Sequence, residues 1–400
     1  MLMILKSLKI AHFIVDEKFS DSAYELFETI APNCNDFFIA AKPYKLKYVK
    51  KTPVKFVSKT AFLNRTLIDK IEKYDFVILH SLTNFNQRLV LRFGSSKVIF
   101  VWIGMGYDYY DIIAGVEESL LLNKTLQAFA ESKRESYERP LWKFILKNKL
   151  PYLSIMKKHL LRLLKIKSIK KIHYFSPVLE NEYVLVKTKI KKKFPLYIPW
   201  NYSTNAHAID DDCTTENNLR GNNILLGNSA SFTNNHIEMI DFLSELALDS
   251  RRVICPLNYG DKNYADIIIK HAYQKLGENF VPICDFLPFE RYMELISNCS
   301  TVLMNHRRQQ ATGNIVAMLA KGAKVFVREE NPVYNLYSSK GIKIFKIEDL
   351  EKNPHLLFQK LKSQAIYNNK KIIQQLWGME NCLAMTRNLI DTVMNSTGRS

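Results

Sequence analysis

The chain has 400 residues, of which 47% are hydrophobic and 24% are charged, and its formal net charge is +18. This length and apolar content are enough for two globular domains, and they exclude a fibrous chain. A transmembrane helix needs about 20 consecutive apolar residues, whereas the longest candidate here is the short segment "VIFVWIGMGY" from Val98. We therefore expect a folded protein without a membrane span.

The N-terminus and the cysteines indicate a cytoplasmic protein. The segment "MLMILKSLKIAHFIVDEKF" has Lys6 and Lys9 inside its apolar part and lacks a small-residue cleavage site, so we expect a first strand rather than a signal peptide. The six cysteines follow neither C-x-x-C nor Cys/His ligand spacing, which predicts reduced thiols, no disulfide and no metal site. They are Cys34, Cys213, Cys255, Cys284, Cys299 and Cys382.

Nine short apolar segments, rich in β-branched and aromatic residues, alternate along the chain with helical patterns. They are residues 9–15, 36–42, 75–80, 97–104, 171–176, 223–228, 251–257, 301–306 and 324–329. Strands that alternate with helices form parallel sheets with helices on both faces. The sequence therefore predicts an α/β protein with two doubly wound, Rossmann-like domains.

A polar segment at 201–223 separates the two groups of strands, and we expect it to contain the linker. Its three consecutive aspartates from Asp210 resemble a metal-binding motif, but neither a strand nor a helix frames them. The predicted division has four parts. They are an N-terminal domain over 1–203, a linker over 204–222, a C-terminal domain over 223–370, and a C-terminal helix over 371–400 that packs back on the N-terminal domain.

A basic segment lies between Glu138 and Glu180, where the chain has no acidic residue. Lysines and arginines interleave with apolar residues, which predicts two amphipathic helices over about residues 139–171, broken near Pro151. Such helices can lie in the interface of an anionic membrane, where each basic residue contributes about 1 kcal/mol. Two alternatives are a solvated face of core helices, and a phosphate-binding surface for nucleic acid, although no known nucleic-acid-binding motif accompanies the segment. The predicted membrane contacts are Lys157, Lys158, Arg162 and Lys165.

The first candidate binding motif is "ILLGNSASFTNNHIE", where a strand passes into a helix through small polar residues. Gly227 allows a sharp turn, Asn228 and Ser229 offer side-chain donors, and Asn235 with Glu238 fits the spacing of a helix N-cap. The positive end of a helix dipole and its exposed N–H groups suit an anion such as a diphosphate. The alternative is an ordinary strand–turn–helix junction in which these residues only cap the helix.

The second candidate motif is "MNHRRQQATGNIVAMLAKGAKVFVREENPVY", which again leads from a strand into a helix and on to the next strand. An arginine before the helix can bind a phosphate, glycine permits close approach, and a carboxylate after the next strand can bind the vicinal hydroxyls of a ribose or sugar. The alternative is a solvated arginine pair. The predicted donor-binding residues in this motif are Arg308, Gln309, Gln310, Gly313, Asn314, Glu329 and Glu330.

These motifs, together with "RRVICPLNYG", "VILHSLTNFN" and "VWIGMGYDYYD", resemble in order the TDP-N-acetylfucosamine:lipid II N-acetylfucosaminyltransferases of bacterial surface polysaccharide synthesis. The resemblance runs from about residue 74 to about residue 345. It implies a GT-B fold, two Rossmann-like domains facing across a cleft, with the donor nucleotide held by the C-terminal domain and no obligatory catalytic metal. The family's W-G-x-D-L-Y and R-Q-Q-G-x-G-T are here Met105 to Tyr110 and Arg308 to Asn314, so the resemblance implies the reaction class rather than the sugar.

Glycosyl transfer requires stabilisation of a leaving diphosphate and a base or orienting partner for the acceptor hydroxyl. We assign the first role to Asn228, Ser229 and Arg308. For the second role we expect Asp108, on the loop after the strand "KVIFVWIG", or His80, at the end of "DFVILH". The alternatives are a helix cap for Asp108 and a hydrogen-bonded core histidine for His80.

The sequence thus predicts a glycosyltransferase that needs no cofactor and moves a deoxyamino sugar from a TDP-linked nucleotide-sugar to a polyprenyl-diphosphate-linked saccharide. We expect it to be peripheral, on the cytoplasmic face of the bacterial inner membrane, with an anionic membrane surface as a partner and no nucleic acid. Two alternatives remain at this point. One is a GT-B glycosyltransferase with a soluble or protein acceptor, and the other is a non-catalytic nucleotide- or nucleic-acid-binding protein.

Overall fold

The computed structural model describes residues 8–60, 71–94, 97–135, 151–191, 193–202, 209 and 219–396, without the side chains of 134–135 and 151–159. The chain divides into two compact units. The first comprises the described residues within Met1–Ile113, Leu150–Thr204 and Trp377–Ser400, and the second those within Ala114–Lys149 and Asn205–Leu376.

Each unit is built on one parallel sheet. In the first unit the strand order is β3-β2-β1-β4-β5-β6-β7, and in the second it is β10-β9-β8-β11-β12-β13. All pairings are parallel. The strands of the first unit are β1 (Ile10–Ile14), β2 (Asn35–Ala40), β3 (Val54–Val57), β4 (Phe76–His80), β5 (Ile99–Ile103), β6 (Tyr174–Ser176) and β7 (Leu196–Tyr197). Those of the second are β8 (Asn223–Leu226), β9 (Val253–Pro256), β10 (Phe280–Ile283), β11 (Cys299–Met304), β12 (Lys324–Val327) and β13 (Phe345–Lys346).

The helices are numbered along the described residues. They are α1 (Ser20–Ile30), α2 (Asn84–Phe93), α3 (Tyr110–Ile113), α4 (Asn123–Glu135), α5 (Pro151–Ile169), α6 (Glu182–Ile190), α7 (His236–Ser244), α8 (Lys262–Leu276), α9 (Phe289–Ile296), α10 (Thr312–Ala320), α11 (Pro332–Ser339), α12 (Ile347–Lys352), α13 (Ser363–Trp377) and α14 (Met379–Ser396). No helix among the described residues is long and apolar enough to span a membrane.

The core of the first unit lies between its sheet and the pair α1 and α14. Strands β1, β4 and β5 are buried along their whole length, because each has a strand on both sides and apolar residues on both faces. Leu26 and Phe27 of α1 pack in one apolar cluster with Leu389 of α14. The indole N–H of Trp200 also donates to Thr386 Oγ1 of α14, at 2.9 Å. Helix α14, although last in the chain, therefore belongs to the first unit.

The second unit includes the segment 114–135, which the sequence analysis grouped with the N-terminal domain. Helix α4 packs on α7, and Phe129 joins the core of the second unit. Thr125 donates from its backbone N–H and its hydroxyl to the two Glu238 oxygens, at 2.9 and 2.6 Å. This carboxylate was expected to help cap α7, but it holds α4 instead.

Four strands that the sequence analysis did not predict are all at sheet edges: β3, β7, β10 and β13. The nine predicted strands correspond to the other nine. An edge strand is covered by fewer neighbours, so it needs fewer apolar residues. Both residues of β7, for example, are exposed.

Candidate functional site

The two predicted donor-binding motifs begin at adjacent strand ends in the second unit. Strands β8 and β11 pair directly at the point where the strand order reverses direction. In an open α/β sheet, ligands bind outside the carboxyl ends of the strands at this switch point. The loops that follow β8 and β11 therefore lie where this fold places its ligand site.

The loop after β8 is organised by Asn234. Gly227 has φ +66°, and a Cβ there would lie 2.5 Å from His236 Nε2 and 2.7 Å from Asn234 Oδ1. The Asn234 oxygen accepts from the backbone N–H of Asn228 at 3.0 Å, and its amide donates to the Ser229 carbonyl at 2.9 Å. Only glycine fits this turn, because the Asn234 side chain fills the space beside it.

Gln310 connects the two motifs. Its amide N–H₂ donates to Asn228 Oδ1 at 3.0 Å, and its oxygen accepts from the Thr233 hydroxyl at 2.7 Å. His306 adds a second link, since its Nε2 hydrogen-bonds to Asn234 Oδ1 at 2.7 Å. The structure thus brings Asn228, Ser229 and Gln310 together at one site, and Asn228 Nδ2 has no acceptor among the described residues.

The second motif ends at the N-terminus of α10. Ala311, the residue before the helix, has φ +59°, and Gly313 in the first turn is exposed. Gln309 is buried and donates to the Thr312 hydroxyl at 2.6 Å. Arg308 is half-buried and donates to the Gln309 carbonyl at 3.0 Å. Asn314 instead ties the helix to α9, since its amide donates to the Tyr292 hydroxyl at 2.8 Å.

The two predicted carboxylates after β12 are ion-paired in this structure. Glu330 accepts from Arg307 through both oxygens, at 2.5 and 3.0 Å. Glu329 pairs with Lys346 at 2.5 Å. Arg307 also donates to the Ser119 carbonyl at 2.8 Å. Both carboxylates are partly exposed and lie at the end of the strand next to β11.

Helix α7 does not begin with the expected side-chain cap. Asn235 precedes the helix, but its side chain makes no cap hydrogen bond. It instead accepts from the backbone N–H of Leu122 and donates to the Asn305 carbonyl. The backbone N–H of His236 is directed at the Tyr264 hydroxyl, and burial lowers the pKa of His236 to about 3. The start of α7 is therefore buried, and α10 offers the exposed helix N-terminus at this site.

Asp108 lies in the first unit, on the loop after β5, and is buried. Its oxygens accept from the backbone N–H of Leu82 at 2.7 Å, the indole of Trp102 at 2.7 Å and the backbone N–H of Met105 at 2.8 Å. Burial raises the pKa of Asp108, and these three hydrogen bonds oppose the rise. Both oxygens are engaged by three donors, from β5 and its loop and from the loop after β4, so Asp108 holds these two loops together. We therefore withdraw the expectation that it is the base.

His80 is also committed inside the first unit. Its Nε2 lies 3.1 Å from His12 Nδ1, and its Nδ1 lies 2.8 Å from the Tyr202 hydroxyl. Burial, and then the neighbouring His12, hold the pKa of His80 well below its ordinary value. His80 is therefore a neutral, hydrogen-bonded core residue, so we also withdraw it as the base.

The basic segment is described only from Pro151, where α5 begins, and residues 139–150 lie outside the described residues. The side chains of Lys157 and Lys158 are not described either, whereas Arg162 is exposed. The structure corrects the prediction that Lys165 contacts the membrane, because this residue is buried and pairs with Asp111 at 2.6 Å. Leucines are exposed instead on the described part of this helix. They are Leu160, Leu161 and Leu163, with 57%, 38% and 43% of their surfaces exposed.

Several buried polar residues of the donor-side site were missed from the sequence. Asn234 and His306 link the loops, and Asn331 donates to the carbonyls of His306 and Arg308 at 3.0 and 2.7 Å. The available signal was His306 at the end of an apolar strand, where a polar side chain must find a partner. Asn234 and Asn331 follow the ends of β8 and β12 by eight and four residues, so this signal does not mark them. No group of three or more potential ligands is arranged to hold a metal ion in the part of the chain that the structure describes.

Comparison with known proteins gives a family and a fold. The family model described as "4-alpha-L-fucosyltransferase glycosyl transferase group 56" matches residues 152–376, more than half of the chain. HepE from Anabaena, in complex with UDP and glucose, is similar in structure at 10% identity and a TM-score of 0.60, over 97% of this chain and all of that one. Sucrose-phosphate synthase from Thermosynechococcus elongatus is similar at 9% identity and a TM-score of 0.62, over 97% of this chain and all of that one. A glycosyltransferase from Rickettsia africae is similar at 12% identity and a TM-score of 0.61, over 98% of this chain and all of that one.

At these identities the solved structures establish the fold alone, which is GT-B. The family match, which rests on sequence, establishes the class of enzyme. The chain is a GT-B glycosyltransferase, and it belongs to the 4-alpha-L-fucosyltransferase family of glycosyl transferase group 56.

Proposed function

We propose that this glycosyltransferase takes a deoxyamino sugar from a TDP-linked donor and transfers it to a polyprenyl-diphosphate-linked saccharide in bacterial surface polysaccharide synthesis. The observation that carries the donor half is the convergence of both motifs at the β8–β11 switch point, beside the exposed N-terminus of α10. A diphosphate there meets the positive end of a helix dipole. Arg308 adds a full positive charge at the same loop.

In this proposal the donor diphosphate binds at Gly313 and Arg308, and the Asn228 amide donates to the nucleotide-sugar. Fixed donors at the phosphates stabilise the leaving diphosphate as its negative charge grows, which lowers the barrier to transfer. The complex of HepE with UDP and glucose supports a nucleotide-bound sugar as the donor class. The thymidine nucleotide and the lipid-linked acceptor rest on the resemblance of the sequence motifs.

The membrane half of the proposal rests on α5. Leu160, Leu161 and Leu163 are exposed in a helix that also carries the exposed Arg162. Apolar side chains beside basic ones are the composition of a helix that lies in an anionic membrane interface. Such a surface would hold the enzyme at the cytoplasmic face of the inner membrane, where a polyprenyl-linked acceptor is anchored.

Binding of TDP and UDP by isothermal titration calorimetry tests the donor half. We expect TDP to bind more tightly than UDP. Arg308→Ala should weaken TDP binding by roughly 10- to 100-fold, because a hydrogen bond to a charged group contributes about 1.5–3 kcal/mol. Arg291→Ala is the matched control, since Arg291 is an exposed arginine of the same unit that pairs with Glu294. Unchanged TDP affinity in Arg308→Ala contradicts the phosphate site.

Flotation with anionic and neutral vesicles tests the membrane half. We expect binding to anionic vesicles that falls as salt rises, because surface attraction decays within a Debye length of about 8–10 Å. Replacing the three exposed leucines of α5 by serine should release the protein. Val184 and Leu185 of α6, replaced by serine, are the matched control, since they are exposed apolar residues of the same unit. Equal flotation of both variants excludes α5 as the docking surface.

A further inference from the structure

The first unit has its own switch point, between β1 and β4. The loop from Val15 to Phe19 follows β1 there, and Tyr202 packs beside it with its ring 5.4 Å from that of Phe19. Asp108 and His80 are hydrogen-bonded to other residues, so an acceptor-side base must be another side chain at this edge.

A buried chain of hydrogen bonds leads to Tyr202, and its direction can be worked out from Asn35. The Asn35 amide nitrogen donates to Glu28 Oε1 at 2.8 Å and to the Ala31 carbonyl at 2.7 Å. Its oxygen must therefore be the atom 3.1 Å from His12 Nε2, and it can only accept. His12 Nε2 thus carries the hydrogen.

The two histidines continue the chain of hydrogen bonds in the same direction. Burial lowers the pKa of His12 to about 3, so the ring is neutral and its Nδ1 is an acceptor. His80 Nε2, at 3.1 Å, must then carry the hydrogen that this bond needs. His80 is neutral too, so its Nδ1 accepts from the Tyr202 hydroxyl at 2.8 Å. The hydroxyl proton of Tyr202 is therefore used in its hydrogen bond to His80, and the Tyr202 oxygen can only accept a hydrogen bond from a ligand.

Glu17 lies on the loop after β1 and is half-buried. Among the residues that the structure describes, none donates a hydrogen bond to its carboxylate, in contrast to its neighbour Asp16. Asp16 accepts backbone hydrogen bonds from Lys47, Tyr48 and Val49. Burial raises the pKa of Glu17, with Lys18 opposing and Asp16 adding to the rise. Burial raises the pKa of the Tyr202 phenol well above its ordinary value, and Tyr107, Asp108 and Glu17 add to the rise, as expected for a Glu17 carboxylate close to this ring.

We propose that Glu17 and Tyr202 form the acceptor subsite of this enzyme, with Glu17 as the base and Tyr202 as a positioning residue for the acceptor sugar. The inference rests on the proposed function for the nature of the acceptor. As the bond from the acceptor oxygen to the anomeric carbon forms, the bond from that carbon to the diphosphate breaks, and its electron pair leaves with the diphosphate. The hydroxyl proton passes to the Glu17 carboxylate and from there to solvent. Tyr202 accepts a hydrogen bond from a second hydroxyl of the same sugar.

Steady-state kinetics separate the two roles. We expect Glu17→Gln to lower kcat by roughly 10²- to 10⁴-fold, the usual contribution of a general base, with unchanged TDP affinity. Tyr202→Phe keeps the ring contacts with Phe19 and Trp200, so it should raise the acceptor KM by about 10-fold, the loss of one hydrogen bond of about 1.4 kcal/mol. Glu25→Gln, on α1, is the control carboxylate of the same unit. Full kcat in Glu17→Gln overturns the base assignment, and an unchanged acceptor KM in Tyr202→Phe overturns the positioning role.

Nitrogen NMR tests the direction of the chain without any substrate. Long-range proton–nitrogen correlations should show the Nε2–H form for both His12 and His80, and the Nδ1 shift of His80 should move in Tyr202→Phe. An Nδ1–H form of His80 overturns the acceptor-only state of Tyr202. If wild type transfers sugar to a soluble saccharide rather than to a lipid-linked one, the proposed acceptor class is wrong. The same two variants, assayed on that saccharide, then decide the subsite independently.

Discussion

Gly227→Ala is the most direct test of the donor-side loop. The residue has φ +66°, and a Cβ would lie 2.5 Å from His236 Nε2 and 2.7 Å from Asn234 Oδ1. Neither side chain can retreat at little cost, since both are buried and Asn234 hydrogen-bonds to the Asn228 and Ser229 backbone. The substitution therefore combines a left-handed alanine with steric overlap.

The magnitude follows from these two costs and one gain. A left-handed alanine costs roughly 1–2 kcal/mol, and overpacking a well-packed core costs about 1–3 kcal/mol. Alanine also restricts the unfolded chain, which returns about 0.4–1 kcal/mol. We expect the free energy of unfolding to fall by roughly 1–4 kcal/mol. TDP affinity should fall as well, because Asn234 positions Asn228.

Gly341→Ala separates the two costs. Gly341 belongs to the same unit and has φ +88°, but its nearest contact for a Cβ is Ile372 Cδ1 at 3.6 Å, an ordinary van der Waals distance. It should carry the backbone cost alone and leave TDP binding unchanged. Urea unfolding by circular dichroism, with hydrogen exchange of β8 and β11 peptides, measures the difference. If the two variants unfold at the same urea concentration, the overlap inferred at Gly227 does not exist.

Three further predictions concern the first unit. Asp108→Asn should lower the free energy of unfolding by about 1–3 kcal/mol, because one amide oxygen cannot satisfy three donors, and should leave TDP affinity intact. Urea unfolding followed by circular dichroism measures it, and an unchanged midpoint refutes the proposed role of Asp108 in holding the loops together. His12 has a folded pKa of about 3 against an ordinary 6.5, so the unfolded state binds more protons between these values, and stability present above pH 6.5 is lost as the pH falls. His12 alone contributes a slope of about 1.4 kcal/mol per pH unit to the free energy of unfolding. His12→Gln should remove this contribution between pH 6 and 4, and an unaltered slope of stability against pH shows that His12 is not the group responsible. Lys165→Gln should lower the thermal midpoint through loss of its pair with Asp111, whereas Arg162→Gln should leave the midpoint unchanged and weaken vesicle binding. The reverse result in melting and flotation assays would return Lys165 to the membrane surface.

The central strands were predictable from the sequence and the edge strands were not. Strands β1, β4 and β5 are buried along their length, and apart from His12 and His80 they are apolar, because both faces and both edges are covered. Strand β7 consists only of Leu196 and Tyr197, which are 64% and 39% exposed. It lies between Pro195 and Pro199, and two residues are too few to show a strand periodicity. The apolar periodicity of a strand reflects the burial of its side chains. An edge strand is held mainly by backbone hydrogen bonds to a single neighbour, and these bonds depend little on residue type.

The location of the donor-side site was predictable, but the roles of individual side chains were not. A polar loop after an apolar strand marks the carboxyl edge of a sheet whatever its partners. Asp108 and Glu17 both follow such strands, yet the three donors that engage Asp108 come from Leu82, Trp102 and Met105. Lys165 resembles its basic neighbours in sequence, but its partner Asp111 lies on α3, 54 residues away along the chain. Whether a charged residue is hydrogen-bonded or available to a ligand depends on the folded conformation of its own loop and on distant partners such as Leu82 and Asp111, and residue type alone encodes neither.

The route of the chain through the two units bears on its synthesis in the cell. The chain passes from one unit to the other after residues 113, 149, 204 and 376. Helix α14, which supplies Leu389, Ile390 and Val393 to the first core, is synthesised after all the other described elements of both units. Until then the apolar surface around Phe27 and Trp200 is without its cover and is open to chaperones. Fragments ending near 204 or 376 should therefore aggregate, and exchanging donor domains between relatives requires α14 to travel with the first unit.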